Sequence, residues 1–262
     1  MATEHCGGGD PDKVLPLLWR TSRTEDGRPV LGRRPGLNVD EVLAAALDVA
    51  DVHGLSVLSM SKVAKSLGVG TMTLYTYVPG KAELIDLMVD RVLRERALPL
   101  GNAPKPEGWR AQLELYADRT RTMFRDHAWL GQVSLSRPPL GPGVMDGDEY
   151  LLSALSGLGL TPQERVAAAN AVQVVVDAIC RVEVTADQLE RTSGESNDDW
   201  WAERMSFWND YFDPQRYPEI FASWRDNGFE GLDALGAADV YRFGFQRLLD
   251  GIHAVIMRAS GG

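Results

Sequence analysis

Cysteine is nearly missing from this 262-residue chain: Cys6 and Cys180 stand alone. Two isolated thiols make no disulfide framework and no zinc spacing. Histidine is as sparse, with four residues at 5, 53, 127 and 253 that share no metal-ligand spacing. No metal and no cofactor is expected. No apolar run approaches the roughly 18–20 residues a membrane span needs, and the N-terminus lacks a signal-peptide core. A cytoplasmic protein without a membrane partner is the expectation. Strand-like alternation and internal repeats are also missing, which leaves helical periodicity and an all-α fold.

Catalytic signatures are thin. A dinucleotide loop on Gly68-Val69-Gly70 needs glycine at 73, where Thr73 stands, and a phosphate loop ending at Gly80-Lys81 needs one at 75, where Tyr75 stands. No Gly-x-Ser-x-Gly occurs. No catalytic residue is assigned. A helical enzyme, or an interaction protein that does not bind DNA, remains the alternative reading.

Charge is missing from one place in particular. No charged side chain lies between Ser66 and Gly80. Exposed helix positions usually carry Glu, Lys, Gln or Arg. Just before this stretch, Ser59 can cap a helix in which Met60, Val63, Ala64 and Leu67 share a face, and Gly68 can end it. A second helix opens at Gly70 or Thr71 and runs to about Val78, with Leu74 and Val78 inward and Val69 plugging the turn. Thr71, Met72, Thr73, Tyr75, Thr76 and Tyr77 are left mostly outward. Two short helices around a glycine make a helix-turn-helix, and hydroxyls, a thioether and phenols suit phosphates, base edges and thymine methyls. Lys81 opens the next helix, within reach of a phosphate. The opposed reading makes this a plain helical hairpin with core tyrosines.

The segment resembles the DNA-binding domain of the TetR family of transcriptional regulators. Gly68 through Lys81 is similar to that family's Gly-Val, Thr-Leu-Tyr, Val and Lys signature, with Asn38 to His53 as its first helix. The resemblance implies DNA contacts at Thr71, Thr73, Tyr75, Tyr77 and Lys81. Ser59, Ser61, Met72 and Thr76 complete the expected set. Many relatives carry arginine where Ser61 stands, so base reading at that point departs from the pattern.

The net charge of −10 and pI near 4.9 run against a DNA binder. Residues 1–98 carry 12 Lys/Arg against 13 Asp/Glu, whereas 99–262 carry 15 against 24. The acid therefore sits away from the proposed DNA end, and local charge decides docking. Residues 1–36 read as a basic, largely flexible arm. Arg33 and Arg34 abut the first helix and could enter a minor groove; a solubilising tail is the other reading.

Residues 37–98 are expected to hold the three-helix helix-turn-helix domain and a linking helix from Lys81 to Leu98. Asn38 with Glu41 forms a capping box. The Pro/Gly run at 99–106 ends this domain. Residues 99–262 are expected to form a larger helical domain for effector binding and dimerisation. Its expected helices are Trp109–His127, Asp148–Leu158 after a Pro/Gly loop at 136–147, a capped helix from Thr161 to about Leu189, an aromatic-dense stretch at 198–212, Tyr217–Asn227, and Ala237–Arg258. The helix after Thr161 is apolar nearly all round and reads as buried on most sides. With the last helix it suggests a homodimer bundle, which would set two recognition helices about 34 Å apart on a palindromic operator.

On that helix Asn170, Gln173, Asp177 and Arg181 make one polar stripe. Left unpaired in a core, each group would cost roughly 1–3 kcal/mol. A cavity for a flat, drug-like or aromatic effector answers this, lined by the stripe with Phe124, Trp129, Trp200, Trp201 and Trp208. The opposed reading makes the tryptophans core and the stripe solvated. The second domain resembles the tetracycline-repressor type, and regulators of antibiotic export in actinomycetes, through 127–130, 216–218 and 245–252. It has no clear counterpart to the metal-ligand histidine of the tetracycline sensor, so a magnesium–tetracycline effector is not implied. His127 reads as a helix-end histidine. The resemblance implies a one-component repressor that a small molecule releases from operator DNA.

Overall fold

The computed structural model describes residues 4–21, 37–226 and 237–260. Helices dominate, as the periodicity predicts, and the architecture is best followed from one helix outward. That helix is α5, Lys81–Glu95. It is buried from Glu83 to Asp90 without a break, so it packs on all sides.

Against it lies α2 (Val39–His53), which carries α3 (Met60–Ser66), and α3 in turn packs with α4 (Thr71–Leu74). The Asn38–Glu41 capping box of α2 is complete: Asn38 Oδ1 accepts from Glu41 N at 3.0 Å, and Glu41 Oε2 accepts from Asn38 N at 2.9 Å. On another side of α5 pack α6 (Trp109–Asp126) and α7 (Pro142–Ala154). Next come α8 (Pro162–Ser193), the short helices α9 (Asn197–Glu203), α10 (Ser206–Asp210) and α11 (Pro218–Arg225), and α12 (Ala237–Ser260), which packs on α8. The linking helix stops at Glu95, three residues before the expected Leu98.

Three expectations need correction. Residues 4–21 are no free arm. Strand β1 (Glu4–His5) pairs in parallel with β2 (Val133–Ser134), and helix α1 (Pro11–Leu18) docks on α5. Buried Val14 and Leu18 drive that docking, and Gly7 N donates to Asp86 Oδ1 at 2.8 Å while Asp10 N donates to Glu83 Oε1 at 3.0 Å. Lone polar segments do not fold, but these apolar groups and amides find a ready surface. The remainder of the arm, Arg33 and Arg34 included, lies outside the described residues.

Second, the Pro/Gly stretch at 136–147 is partly helix. Pro142 takes the first position of α7, where a missing N–H costs nothing. The glycines serve close packing: a Cβ on Gly143 would collide with the Asp90 carbonyl of α5. Asp90 in turn caps α7 from outside, its Oδ1 accepting from Gly143 N at 2.8 Å. Burial pushes the Asp90 carboxyl up to about 6, and those amide hydrogen bonds pull it down by less.

Third, α8 is not buried on most sides in a single chain. Val166, Val174 and Val182 are exposed, while Ala169, Val172, Val176 and Cys180 face the core. Cys6 and Cys180 are both buried free thiols, each pushed up to about 12 by burial first of all.

Gly143→Ala should destabilise the fold. Alanine recovers up to about 1 kcal/mol of helix propensity, but a backbone collision costs about 1–3 kcal/mol or more. A lowered denaturation midpoint is the expected result; a raised one would show that α5 and α7 separate freely.

Candidate functional site

The helix-turn-helix is built from local capping and a left-handed glycine. Ser59 Oγ caps α3 by accepting from Lys62 N at 3.3 Å. Gly68 turns the chain at φ +68°, and Val69 N returns to Ala64 O at 3.0 Å. Only Thr71–Leu74 is regular α-helix, shorter than the run to Val78 that the sequence suggests. The next turn is held by Tyr77 N and Val78 N, both 2.9 Å from Leu74 O.

Leu74 and Val78 are wholly buried, which fixes the roll of the element. That roll presents Met72 at 77% exposure and Tyr75 at 44%, with Thr73 and Thr76 beside them. Thr71 is half-buried at the first turn and Ser61 is exposed on α3. Exposed Lys62 and Lys65 add positive charge to the same motif. Tyr77 instead leans on the core, and Lys81 Nζ sits 2.7 Å from Glu4 Oε1. Ser59 is spent as a cap. These three are therefore less free to meet DNA than the sequence suggests.

At the other end of α5 lies a cavity of about 740 Å³, walled by α5, α6, α7, α8 and residues 134–138. The polar stripe of α8 faces it, with Asn170, Gln173, Asp177 and Arg181 all on its wall. Most of the stripe is satisfied. Gln173 Nε2 donates to Asp148 Oδ1 at 2.5 Å. Arg181 pairs with Asp177 at 2.6 Å, donates to the carbonyls of Leu130 and Gly131, and lies over the Phe124 ring. Phe124 also lines the cavity.

Between the two ends, His127 bridges two helices. Its Nδ1 is 2.9 Å from Asp51 Oδ1 on α2, and its Nε2 is 3.0 Å from Glu95 Oε2 on α5. Trp129 Nε1 also donates to Asp51 Oδ1, at 2.8 Å. A neutral imidazole has one N–H, so bridging two carboxylates calls for the doubly protonated ring. Burial lowers the imidazole pKa, but the hydrogen bonds that the ring donates to Asp51 and Glu95, and the charges of those carboxylates, outweigh it, and the net shift is upward.

Comparison with known proteins agrees with this geometry. Residues 42–88 match the family described as bacterial regulatory proteins, tetR family, and residues 103–256 match the tetracyclin repressor-like C-terminal domain. The chain is 41% identical to the HTH-type transcriptional repressor DrrR1 of Streptomyces coeruleorubidus, over 99% of this chain and 92% of that one. The chain belongs to the TetR family of transcriptional regulators. Among solved structures, apo ActR of Streptomyces coelicolor aligns with TM-score 0.68 at 26% identity, covering 87% of this chain and 100% of that one. ActR in complex with actinorhodin aligns at 0.69 and 24%, covering 84% and 97%. Among the described residues no helix is long and apolar enough to cross a membrane.

Four expected cavity residues of this TetR-family chain stand elsewhere. Trp129 is 2% exposed and faces Asp51, in the junction between α2 and the second domain. Trp200 and Trp201 are exposed on α9 and pack edge-to-face on each other at 4.9 Å. Trp208 packs edge-on against Phe207 and Phe212. Aromatic density marks apolar character but not which wall of the molecule it faces, and helices α9–α11 follow the exposed C-terminal end of α8. The residues missed are Arg96, Tyr116, Thr120 and Asp148. Tyr116 and Thr120 share a face of α6 by their four-residue spacing, but nothing local distinguishes a cavity face from a core face.

The His127 bridge has a measurable signature. Because its pKa is raised on folding, its contribution to stability is complete below about 6.5 and fades as pH rises through the higher folded value. An NMR titration should place His127 above about 6.5, and Asp51→Asn should lower it. A value at or below that of a free imidazole would remove the bridge.

Proposed function

We propose that this chain is a one-component repressor, without enzymatic activity, whose dimer binds a palindromic operator and is released by a small molecule held in the α5–α8 cavity. The observation that carries the reading is the placement of α5. Its first turn follows Pro79-Gly80 directly after the recognition element, and its last residues, Leu93 and Arg96, form part of the cavity wall. A ligand pressing on that wall acts on the helix that carries the DNA-binding motif.

Residues 37–98 form the DNA-binding unit and 99–262 the effector and dimerisation unit. Met72, Thr73, Tyr75 and Thr76 face the base edges, with Thr71, Ser61 and Lys62 toward phosphates. Tyr77 and Lys81 support the element more than they read it. Arg33 and Arg34 supply a minor-groove arm. Relatives carry named roles as transcriptional repressors, and ActR has been solved with two small molecules, actinorhodin and (S)-DNPA.

Dimerisation accounts for the apolar surface that one chain leaves bare. On α8 Val166 and Val182 are exposed, and on α12 Phe243 and Met257. Between the two helices runs a shallow groove floored by Ala167, Ala168, Gly251 and Val255. A second copy covering this face makes a four-helix bundle.

Release follows population arithmetic. The effector must prefer the DNA-incompetent arrangement, and a full switch from 1:99 to 99:1 needs about a 10⁴-fold preference. The His127 bridge ties α2 and α5 to the 3₁₀ turn at Ala128–Gln132, which packs on α8. Displacement of α6 or α8 by a ligand would therefore be felt at Asp51 and Glu95.

Tyr75→Ala should weaken binding to the promoter of the chain's own gene by about fivefold to a hundredfold, from a base or methyl contact of about 1–3 kcal/mol, with the dimer intact by light scattering. Lys81→Ala should cost less. Fluorescence anisotropy across a salt series reads both; equal affinity for Tyr75→Ala and the unaltered chain would exclude the recognition element proposed here.

A further inference from the structure

Arg96 is the buried charged group of this cavity wall that has no ion-pair partner. It follows the last residue of α5, is 4% exposed, and forms part of the cavity wall. Its Nε donates to Leu93 O at 2.9 Å, its Nη1 to the Tyr116 hydroxyl at 3.0 Å, and its Nη2 to Gly143 O at 3.0 Å. The guanidinium also lies over the Tyr116 ring, 5.2 Å from its centre.

Every one of those acceptors is neutral. Burial holds the Tyr116 phenol protonated, against the smaller opposing pull of Arg96 itself. Among the described residues no carboxylate lies within ion-pair distance of Arg96. The other cavity arginine, Arg181, is neutralised by Asp177. Asp148, half-buried on the same wall, accepts from the neutral Gln173 amide and has no ion pair among the described residues, beyond ion-pair distance of Arg96.

A guanidinium carries five N–H groups, and three are used here. The two left, one on each terminal nitrogen, can donate to a further acceptor, and a carboxylate offers two acceptor oxygens at matching spacing. Beside them Thr120 Oγ1 is buried on the same wall, near the Tyr116 phenol but without a hydrogen bond of good geometry. A buried cation without a partner is costly, so the two unused N–H groups and the idle hydroxyl mark a place where a ligand group completes the set.

We propose that Arg96 recognises an acidic group on the effector, a carboxylate held by the guanidinium fork and Thr120, with a flat apolar body lying along Phe124, Met123 and Leu135. The inference rests on the effector-cavity reading above and narrows it to anionic aromatic acids. It also gives the ligand a direct hold on α5. A carboxylate on the two unused N–H groups shares the guanidinium with Gly143 O, one of the bonds by which the end of α5 grips α7.

The test uses matched pairs of aromatic acids and their primary amides, 2-naphthoic acid and anthraquinone-2-carboxylic acid among them, titrated into the full-length protein by calorimetry. The unaltered chain should bind at least one acid tenfold or more tightly than its amide. In Arg96→Gln that preference should vanish while amide affinity stays within about twofold. Should Arg96→Gln not fold, Arg96→Lys, which keeps the charge but loses the fork, should weaken acid binding at least fivefold and leave amide binding alone. Equal binding of acid and amide by the unaltered chain, or a preference that survives at full strength in either variant, overturns the assignment to Arg96 and leaves the cavity reading standing. Binding of no pair overturns both.

Discussion

Three buried carboxylates on α5 organise this molecule. Glu83, Asp86 and Asp90 recur at steps of three and four on a helix otherwise packed with Leu84, Ile85, Leu87, Met88 and Val89. An unpaired carboxylate in such surroundings is expensive. Each is satisfied by a backbone amide brought from far along the chain: Asp10 N for Glu83, Gly7 N for Asp86, Gly143 N for Asp90. The N-terminal segment and the first turn of α7 are thus held to the same helix by charge-assisted hydrogen bonds, each stronger than a neutral one. The α2–α4 unit packs against α5 as well.

That arrangement has a consequence for electrostatics. Several of the acids that would lower the affinity of the N-terminal half for DNA are withdrawn from the surface or engaged. Glu83, Asp86 and Asp90 are buried, and Asp51 is shared by His127 and Trp129. The exposed face of the helix-turn-helix keeps Lys62 and Lys65 beside an uncharged recognition element. The chain's net charge of −10 therefore says little about this face.

It also has a consequence for signalling. Over Glu83–Asp90 the helix is buried on every side and cannot bend into solvent; when it moves, its neighbours must repack, and packed cores switch between discrete arrangements. The cavity meets α5 at Leu93 and Arg96, and the recognition element meets it at Lys81, about four turns away at 5.4 Å each. The His127 bridge adds a second tie between the domains.

Much of this was legible in the sequence for local reasons. The Asn38 and Thr161 capping boxes, the Ser59 cap, Gly68 and Pro162 act within a few residues, and their helices start or stop where that chemistry says. The polar stripe of α8 was legible because four groups at helical spacing cannot all be buried unpaired, and the cavity they face is there. The aromatic wall was not. Trp129, Trp200, Trp201 and Trp208 carry the right chemistry on other surfaces.

Nothing local singles out the acids of α5 or Arg96, and the N-terminal residues read as a basic, largely flexible arm. In each case the partner is distant in the chain: a glycine amide at position 7 or 143, a phenol at 116, a strand at 133. The sequence by itself determined the helices, the turn of the DNA-binding motif and the existence of a polar cavity wall, because capping, periodicity and glycine act between neighbours. Only the tertiary structure decided which buried charges are matched and which, at Arg96, is not, because a countercharge is a matter of distance in space.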